Sequence, residues 1–293
     1  MKYAILSDIH GNIEALEAVL ENMKKYNPDK VIVLGDTIGY GPNPRECLIK
    51  TAEIADILLI GNHEKEAVEP EENEMCGDAR EMLEWTVKQL EGLPQWEAVK
   101  KGIKEKGYDN MALQKEDDLL FVHGSPEKPV VRYIWPGHQS HYIVFNDQID
   151  KHLTELLAQS DVAHAFCGHT HTPAILTEYK NKAIFDNDLE YNRESTFIGP
   201  NTVFYVPSGN AVVANPRFEK EIKFNTAKMI INPGSVGQPR DSNPNAAYAI
   251  YNGNSIKFIR VPYDHEKTKN KVLKLPISNE SKEFFAERLA KGE

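Results

Sequence analysis

Cysteine is scarce in this chain, and long apolar runs and an excess of basic residues are missing. The three cysteines, Cys47, Cys76 and Cys167, form no C-x-x-C pair, which argues against a disulfide framework and favours a reducing compartment. No apolar run approaches the roughly 20 residues needed to cross a bilayer. Asp8 and His10 also interrupt the first apolar run too early for a signal-peptide core. We therefore expect a cytoplasmic protein without a membrane partner.

The charge balance is acidic, with 34 Lys and Arg residues against 44 Asp and Glu residues and a net charge of −10. Extended nucleic acid requires clustered Lys and Arg, so this balance argues against it as a partner. A composition of 41% hydrophobic and 27% charged residues is typical of a globular protein with a large core. An anionic substrate would need positive charge supplied locally.

The first sixty residues alternate strand-like and helix-like segments. Residues 3–6 form a short apolar run, and residues 13–26 place apolar side chains on one helical face with Asn12 as N-cap. The runs VIVLGD and ILLIGNH flank a helix-like stretch from Pro44 to about residue 52. Continuous apolar strands separated by helices predict a central sheet covered on both sides.

The second half of the chain carries shorter β-rich runs such as MIINPGS, AAYAIY and SIKFIRV. The NGN sequence at 252–254 predicts a tight hairpin turn. Residues 264–293 predict a helical C-terminal extension. We interpret residues 1–293 as one domain, with insertions near 125–146 and 181–220 as candidate substrate loops.

Polar side chains collect at the ends of five apolar runs, each with a neighbouring glycine. The segments SDIHGN, LGDT, IGNHE, VHGS and CGHTH supply Asp8, His10, Asp36, Asn62, His63, Glu64, His123, His169 and His171. Taken singly, each has an ordinary structural explanation, such as a helix cap, a turn or a hydrogen-bonded buried histidine. His169 and His171 would project to the same side of an extended chain.

Together these side chains predict a metal site. Burying several carboxylates and imidazoles costs several kcal/mol for each unpaired charge unless cations compensate. Asp, His and Asn ligands without cysteine suit Mn, Fe or Zn, and Cys167 is interpreted as a core residue. The ligands exceed what one ion readily uses, so we expect two divalent metal ions.

The ordered set D-x-H, GD, GNH(D/E), HG and GHxH resembles the calcineurin-like metallophosphoesterase family over roughly residues 1–175. The segment INPGSVGQPRD at 231–241 resembles one in bacterial and archaeal members close to the YfcE-type phosphodiesterases. Glu64 is a departure, because many small members have Asp there. The resemblance implies an α/β fold of the αββα type, in which two mostly mixed sheets pack face to face between helices.

The resemblance also implies a role for each of the collected residues. One ion would bind Asp8, His10 and His171, the other would bind Asn62, His123 and His169, and Asp36 would bridge them. His63 would be the catalytic general acid, and Glu64 would be its catalytic partner by orienting the His63 ring.

The function implied is a metal-dependent phosphoesterase. It would hydrolyse a small phosphodiester or nucleotide-type substrate by attack of a metal-bridging hydroxide. One alternative is a phosphomonoesterase of the protein Ser/Thr or dinucleoside polyphosphate phosphatase type. Another is a catalytically inactive metal-binding protein.

Four further residues are candidates for substrate contact. Arg240 either holds a phosphate oxygen or forms a surface ion pair. Tyr133 and Trp135 either stack on a planar leaving group or pack their loop against the body of the protein. Tyr40 is interpreted mainly as a turn-packing residue.

Overall fold

The computed structural model describes residues 1–70, 75, 77–134, 155, 161–178, 181, 190–192, 202–205, 211–214, 216, 218–224 and 227–293. The strands in these ranges are β1 (Tyr3–Leu6), β2 (Lys30–Val33), β3 (Ile57–Leu58), β4 (Leu113–Glu116), β5 (Leu119–Val122), β6 (His164–Phe166), β7 (Ala174–Glu178), β8 (Glu190–Asn192), β9 (Thr202–Tyr205), β10 (Ala211–Ala214), β11 (Glu221–Lys223), β12 (Met229–Asn232), β13 (Ala246–Tyr251) and β14 (Ser255–Val261). The helices are α1 (Ile13–Met23), α2 (Pro44–Ile54), α3 (Asn62–Val68), α4 (Gly77–Leu90), α5 (Pro94–Lys106), α6 (Tyr108–Met111), α7 (His265–Val272) and α8 (Asn279–Lys291).

These strands form two mixed sheets. In the described ranges, the first sheet has the order β11-β14-β13-β1-β2-β3, and the second has the order β4-β5-β6-β12-β7-β10-β9-β8. In the first sheet β1, β2 and β3 run parallel, whereas β1 and β13 are antiparallel. In the second sheet β5, β6 and β12 run parallel. The predicted α/β class, with two mixed sheets and flanking helices, is confirmed.

The main apolar core lies between the two sheets. Strand side chains alternate in direction, so Tyr3 and Ile5 of β1 enter this core while Ala4 and Leu6 enter the core on the other face. The second sheet supplies, among others, the fully buried Phe166. Parallel strands buried on both faces explain why the sequence shows continuous apolar runs instead of alternation.

Helix α1 covers the outer face of the first sheet. Its Leu16 and Val19 pack in the same cluster as Ala4 and Leu6. The predicted N-cap is present, because the backbone N–H of Ala15 donates to the Asn12 side chain at 3.1 Å. The helix therefore begins directly after the loop that follows β1.

The C-terminal part contains the predicted hairpin and helices. Between β13 and β14, the backbone N–H of Asn252 donates to the carbonyl of Ser255 at 3.1 Å, and Gly253 has a φ of +89°. Helices α7 and α8 lie in residues 264–293. Residues 135–146 of the first candidate substrate loop lie outside the described ranges, and residues 181–220 are described only in part. No helix in the described ranges has the length and apolar character needed to span a membrane.

We predict that Phe166→Ala lowers the free energy of unfolding by about 3–5 kcal/mol, because it leaves a cavity between the sheets. The Phe166 ring lies 5.5 Å from that of Phe121 and 5.1 Å from that of Tyr251. Urea denaturation measures the change, and Leu273→Ala, at a side chain 39% exposed, is the control. Equal losses for the two variants would contradict this account of the core.

Candidate metal centre

The polar residues identified in the sequence lie in loops that follow strands of both sheets. Asp8 and His10 follow β1, and Asp36 follows β2, while His123 follows β5. Hydrogen bonds join the loops of one sheet to those of the other, from His169 N–H to Asp8 Oδ2 at 3.1 Å and from Val236 N–H to the Ser7 carbonyl at 2.9 Å. The strand ends of the two sheets therefore meet at one place.

The first cluster consists of Asp8, His10, Asp36 and His171, all at most 1% exposed. Each offers one ligand atom, and these atoms lie within 4.8 Å of one another. His171 Nε2 is 3.0 Å from His10 Nε2 and 3.4 Å from Asp8 Oδ1. His10 Nε2 is 3.7 Å from Asp36 Oδ2.

The second cluster consists of Asp36, His123 and His169. His123 Nε2 is 3.2 Å from His169 Nδ1 and 3.5 Å from Asp36 Oδ2. The Asn62 side-chain oxygen lies 3.2 Å from the same His123 nitrogen. Asp36 Oδ2 therefore stands between the two clusters, and His169 and His171 belong to different ones.

The hydrogen bonds of the four imidazoles define which nitrogen carries the proton. One ring nitrogen of each lies near a backbone carbonyl, which can only accept: His10 Nδ1 with Ile38 at 3.1 Å, His123 Nδ1 with Leu34 at 2.9 Å, His169 Nε2 with Val131 at 3.4 Å and His171 Nδ1 with Gln238 at 2.6 Å. The other nitrogen of each ring then presents a lone pair to its cluster. Nitrogen lone pairs that converge with carboxyl oxygens in this way fit a metal cation.

Burial sets the ionisation of these groups. It holds the pKa values of His10, His123, His169 and His171 below their ordinary value, and neutral imidazole is the form that coordinates metal. Burial also raises the pKa of Asp8 to about 7 and that of Asp36 well above its ordinary value. Ionising both carboxylates here is costly, and divalent cations offset that cost.

The backbone at the clusters is strained. Asp8, His10, Asp36, His169 and His171 all have positive φ, between 47° and 67°. Side chains other than glycine rarely adopt this region, and such residues concentrate at functional sites. The left-handed turns at His169 and His171 correct the expectation of an extended chain there, and they direct the two rings to separate clusters. A Cβ at Gly61 would collide with Asp36 Oδ1 and the His123 ring, so only glycine fits there.

His63 lies beside the clusters without belonging to either. Its ring centroid is 4.6 Å from that of His10, and its backbone N–H donates to Asp36 Oδ1 at 2.9 Å. In the described structure, His63 Nδ1 is buried and has no hydrogen-bond partner. The position suits a group that acts on a bound substrate.

Glu64 has a different set of partners from the expected one. Its carboxylate accepts four backbone N–H groups, from Asp36 at 3.1 Å, Thr37 at 2.8 Å, Ile38 at 3.1 Å and Gly61 at 2.8 Å. These four partners are backbone groups and do not include the His63 ring, so the role of Glu64 in orienting this ring stays a prediction. Glu64 fixes the loop of Asp36 against the start of α3.

The INPGSVGQPRD segment holds two of the metal-site loops. The Asn232 amide donates to the Gly168 carbonyl at 2.8 Å and to the Thr170 hydroxyl at 2.7 Å. The Ser235 hydroxyl donates to the Asp8 carbonyl at 2.7 Å. The sequence resemblance pointed to this segment, but the loops that it holds are visible only in three dimensions.

The candidate substrate residues lie at the edges of the site. Tyr133 stacks on His169, with centroids 3.6 Å apart and an angle of 14°. The guanidinium carbon of Arg240 lies 6.0 Å from the Tyr40 ring centroid. The Tyr40 ring centroid lies 4.6 Å from that of His10 and 4.3 Å from that of His63, so Tyr40 lines the site. Trp135 lies outside the described residues.

Comparison with known proteins decides the family. The profile of the calcineurin-like phosphoesterase family matches residues 1–173, more than half of the chain. The chain belongs to this family. Members are phosphoesterases, and the resemblance that the five sequence motifs indicated is confirmed.

Several relatives match this chain over most or all of its residues. The uncharacterized protein MJ0912 of Methanocaldococcus jannaschii is 28% identical over 99% of this chain and 97% of its own. A metallophosphoesterase structure from Sphaerobacter thermophilus is 27% identical, with a TM-score of 0.72 and full coverage of both chains. The hypothetical protein PH1004 from Pyrococcus horikoshii OT3 is 17% identical, with a TM-score of 0.65 over 100% of this chain and 98% of its own. The E. coli phosphoesterase YfcE also matches, with 16% identity and a TM-score of 0.36 over 87% of this chain and 91% of its own.

We predict that Asp36→Asn removes most of the bound metal, because its Oδ2 atom is shared by both clusters. His171→Ala affects one cluster, so we expect it to bind about one ion per chain, against about two expected for the unaltered protein. Elemental analysis after Mn²⁺ loading and gel filtration measures this. His265→Ala, a histidine of α7 outside the clusters, is the control. Retention of two ions by Asp36→Asn would disprove the shared position.

Proposed function

We propose that this calcineurin-like phosphoesterase is a two-metal hydrolase acting on a small phosphodiester or nucleotide-type substrate. The observation that carries the proposal is the pair of buried clusters that share Asp36. Nitrogen and oxygen donors without thiolate fit Mn, Fe or Zn. When bound, two such ions would polarise the phosphate oxygens and offset the negative charge that develops on them.

Seven residues would hold the ions in this proposal. Asp8, His10 and His171 would bind one ion, Asn62, His123 and His169 would bind the other, and Asp36 would contact both. The convergence of unprotonated nitrogens and carboxylate oxygens supports this assignment. Glu64 contributes indirectly, by positioning the loop of Asp36 through backbone N–H groups.

His63 is the residue that we assign to protonation of the leaving oxygen. Burial, followed by the charge of Arg240, lowers the pKa of His63 to about 3, so the ring is neutral near pH 7 without substrate. A bound phosphate anion favours the protonated ring, since opposite charges stabilise each other. His63 would therefore gain its proton with the substrate and pass it to the leaving group.

Two aromatic side chains support a substrate with an organic group on each side of phosphorus. Tyr40 lies against His10 of the first cluster, and Tyr133 lies against His169 of the second. A diester carries two such groups, whereas a monoester carries one. Trp135 stays a candidate for contact with a planar leaving group.

Arg240 would hold a phosphate oxygen. Its backbone N–H donates to the His171 carbonyl at 3.2 Å, and its charge contributes to the lowered pKa of His63. This places positive charge beside the metal clusters in a chain of net charge −10.

We also propose a cytoplasmic location, supported by the buried free thiols of Cys47 and Cys167.

A substrate panel tests this function. After Mn²⁺ loading, we expect turnover of bis-p-nitrophenyl phosphate to exceed that of p-nitrophenyl phosphate. Turnover of the monoester alone would replace the proposal by a phosphomonoesterase. Bound metal with no turnover of any ester would indicate a metal-binding protein without activity.

We predict that His63→Ala lowers kcat on a 2′,3′-cyclic nucleotide by about 100-fold or more, because the leaving ribose oxygen loses its proton donor. Metal content should stay at the level of the unaltered protein, since His63 lies outside both clusters. Paired kinetics and elemental analysis separate the two effects, with His265→Ala as the control. Loss of metal in His63→Ala would make His63 a ligand and contradict its assigned role.

A further inference from the structure

The backbone of Tyr40 adopts a conformation that this residue type rarely takes. Its φ is +53°, and the backbone N–H of Gly41 donates to the Gly39 carbonyl at 2.6 Å across it. A three-residue turn with a positive φ at its centre is rare and strained, and bulky residues seldom occupy that region. Such strain persists only where the surrounding structure holds it, and it concentrates at functional sites. The strain therefore indicates that the Tyr40 side chain has a role in this site.

The turn places the Tyr40 ring against the ring of His63, the residue assigned to protonation of the leaving oxygen. The two ring centroids are 4.3 Å apart and the ring planes meet at 73°, which is an edge-to-face contact. The His10 ring lies 4.6 Å from the Tyr40 ring and 4.6 Å from the His63 ring. The three rings therefore pack as one group, in which His63 contacts both of the others.

The Nδ1 edge of the His63 ring is placed by packing, without a hydrogen bond. In the described structure this nitrogen is buried and has no hydrogen-bond partner. A Cβ atom added at Gly39 would lie 2.1 Å from His63 Nδ1, so the ring lies directly against the Gly39 backbone. Contacts with Gly39 and Tyr40 therefore limit the orientations that the His63 ring can adopt.

Helix α8 supplies the apolar support for Tyr40. The Phe285 ring lies 5.3 Å from the Tyr40 ring, and Phe285 is 1% exposed. Phe285 belongs to a buried cluster that includes Met82 and Val272, and Tyr40 packs against this cluster. Tyr40 thus joins an apolar cluster to His63. Through it, a helix that follows the residues matching the family profile reaches the site.

We propose that Tyr40 is a positioning residue for His63, with Phe285 as its support. This inference rests on the proposed function, in which the proton passes from His63 to the leaving oxygen as the bond between that oxygen and phosphorus breaks. The proton donor must lie within hydrogen-bond reach of the leaving oxygen, and a ring free to reorient spends less time there. Tyr40 itself neither gives nor takes a proton in this role.

Two substrates with different leaving groups test this role. The ribose oxygen of a 2′,3′-cyclic nucleotide needs a proton to leave, whereas p-nitrophenolate leaves readily without one. In Mn²⁺-loaded protein, we expect Tyr40→Leu to lower kcat on the cyclic nucleotide about tenfold more than kcat on bis-p-nitrophenyl phosphate. In a His63→Ala background the same substitution should change the ratio of the two kcat values by less than about twofold, because no proton donor is left to position.

Three further variants make the test specific. Tyr40→Phe keeps the ring and should keep the kcat ratio. Phe285→Leu alters only the support and should lower the ratio by about threefold, so it carries the test if Tyr40→Leu folds poorly. Phe284→Leu, at a neighbouring ring that is 42% exposed, is the matched control and should keep the ratio.

The pattern of losses distinguishes positioning from other roles of Tyr40. Equal losses of kcat on both substrates in Tyr40→Leu would overturn the proposal, since a general defect in the metal site or the fold affects both. A higher KM with an unchanged kcat ratio would also overturn it, since that result belongs to direct contact with substrate. Metal content is measured on each sample.

Crystal structures of the same Mn²⁺-loaded proteins separate this inference from the proposed function. We expect one His63 rotamer in the unaltered protein and in Tyr40→Phe, and a displaced ring or a second rotamer in Tyr40→Leu. A displaced ring, in a protein that turns over no ester, supports the positioning and overturns the hydrolase. Turnover with an unmoved ring and an unchanged kcat ratio overturns the positioning alone.

Discussion

The buried Asp36 carboxylate is the constraint on which the rest of this site depends. Its Oδ2 atom faces His10 of one cluster and His123 of the other, and burial raises its pKa well above the ordinary value. An ionised carboxylate in this position needs positive charge, and the surrounding imidazoles are neutral because burial lowers their pKa values. Divalent cations held by the two clusters would meet that need.

Hydrogen bonds around Asp36 and the neighbouring loops explain how the loops of the site keep their conformation. Five of the seven proposed ligands have positive φ, so their loops need support from elsewhere in the fold. Glu64 provides it for the Asp36 loop by accepting backbone N–H groups, and Asn232 and Ser235 provide it for the loops of His169 and Asp8. The packing of the two sheets brings these segments together, so the same packing that forms the sandwich also forms the site.

Features that depend on local sequence pattern could be predicted from the sequence. The strand ends of both sheets, the Asn12 cap, the turn at 252–254 and the residues that gather in the two clusters all follow from apolar periodicity and polar residues at run ends. The sequence could not predict contacts between distant segments. The acceptor role of Glu64 depends on loop geometry. The contact of Tyr40 with Phe285 joins residues 245 positions apart, and Phe285 lies in a helix beyond the family motifs.

Anomalous diffraction from crystals of the Mn²⁺-loaded protein tests the central claim most directly, because it locates each ion independently of activity. We expect two peaks, one within each cluster and both beside Asp36 Oδ2. A single peak, or peaks away from Asp36, would contradict that claim.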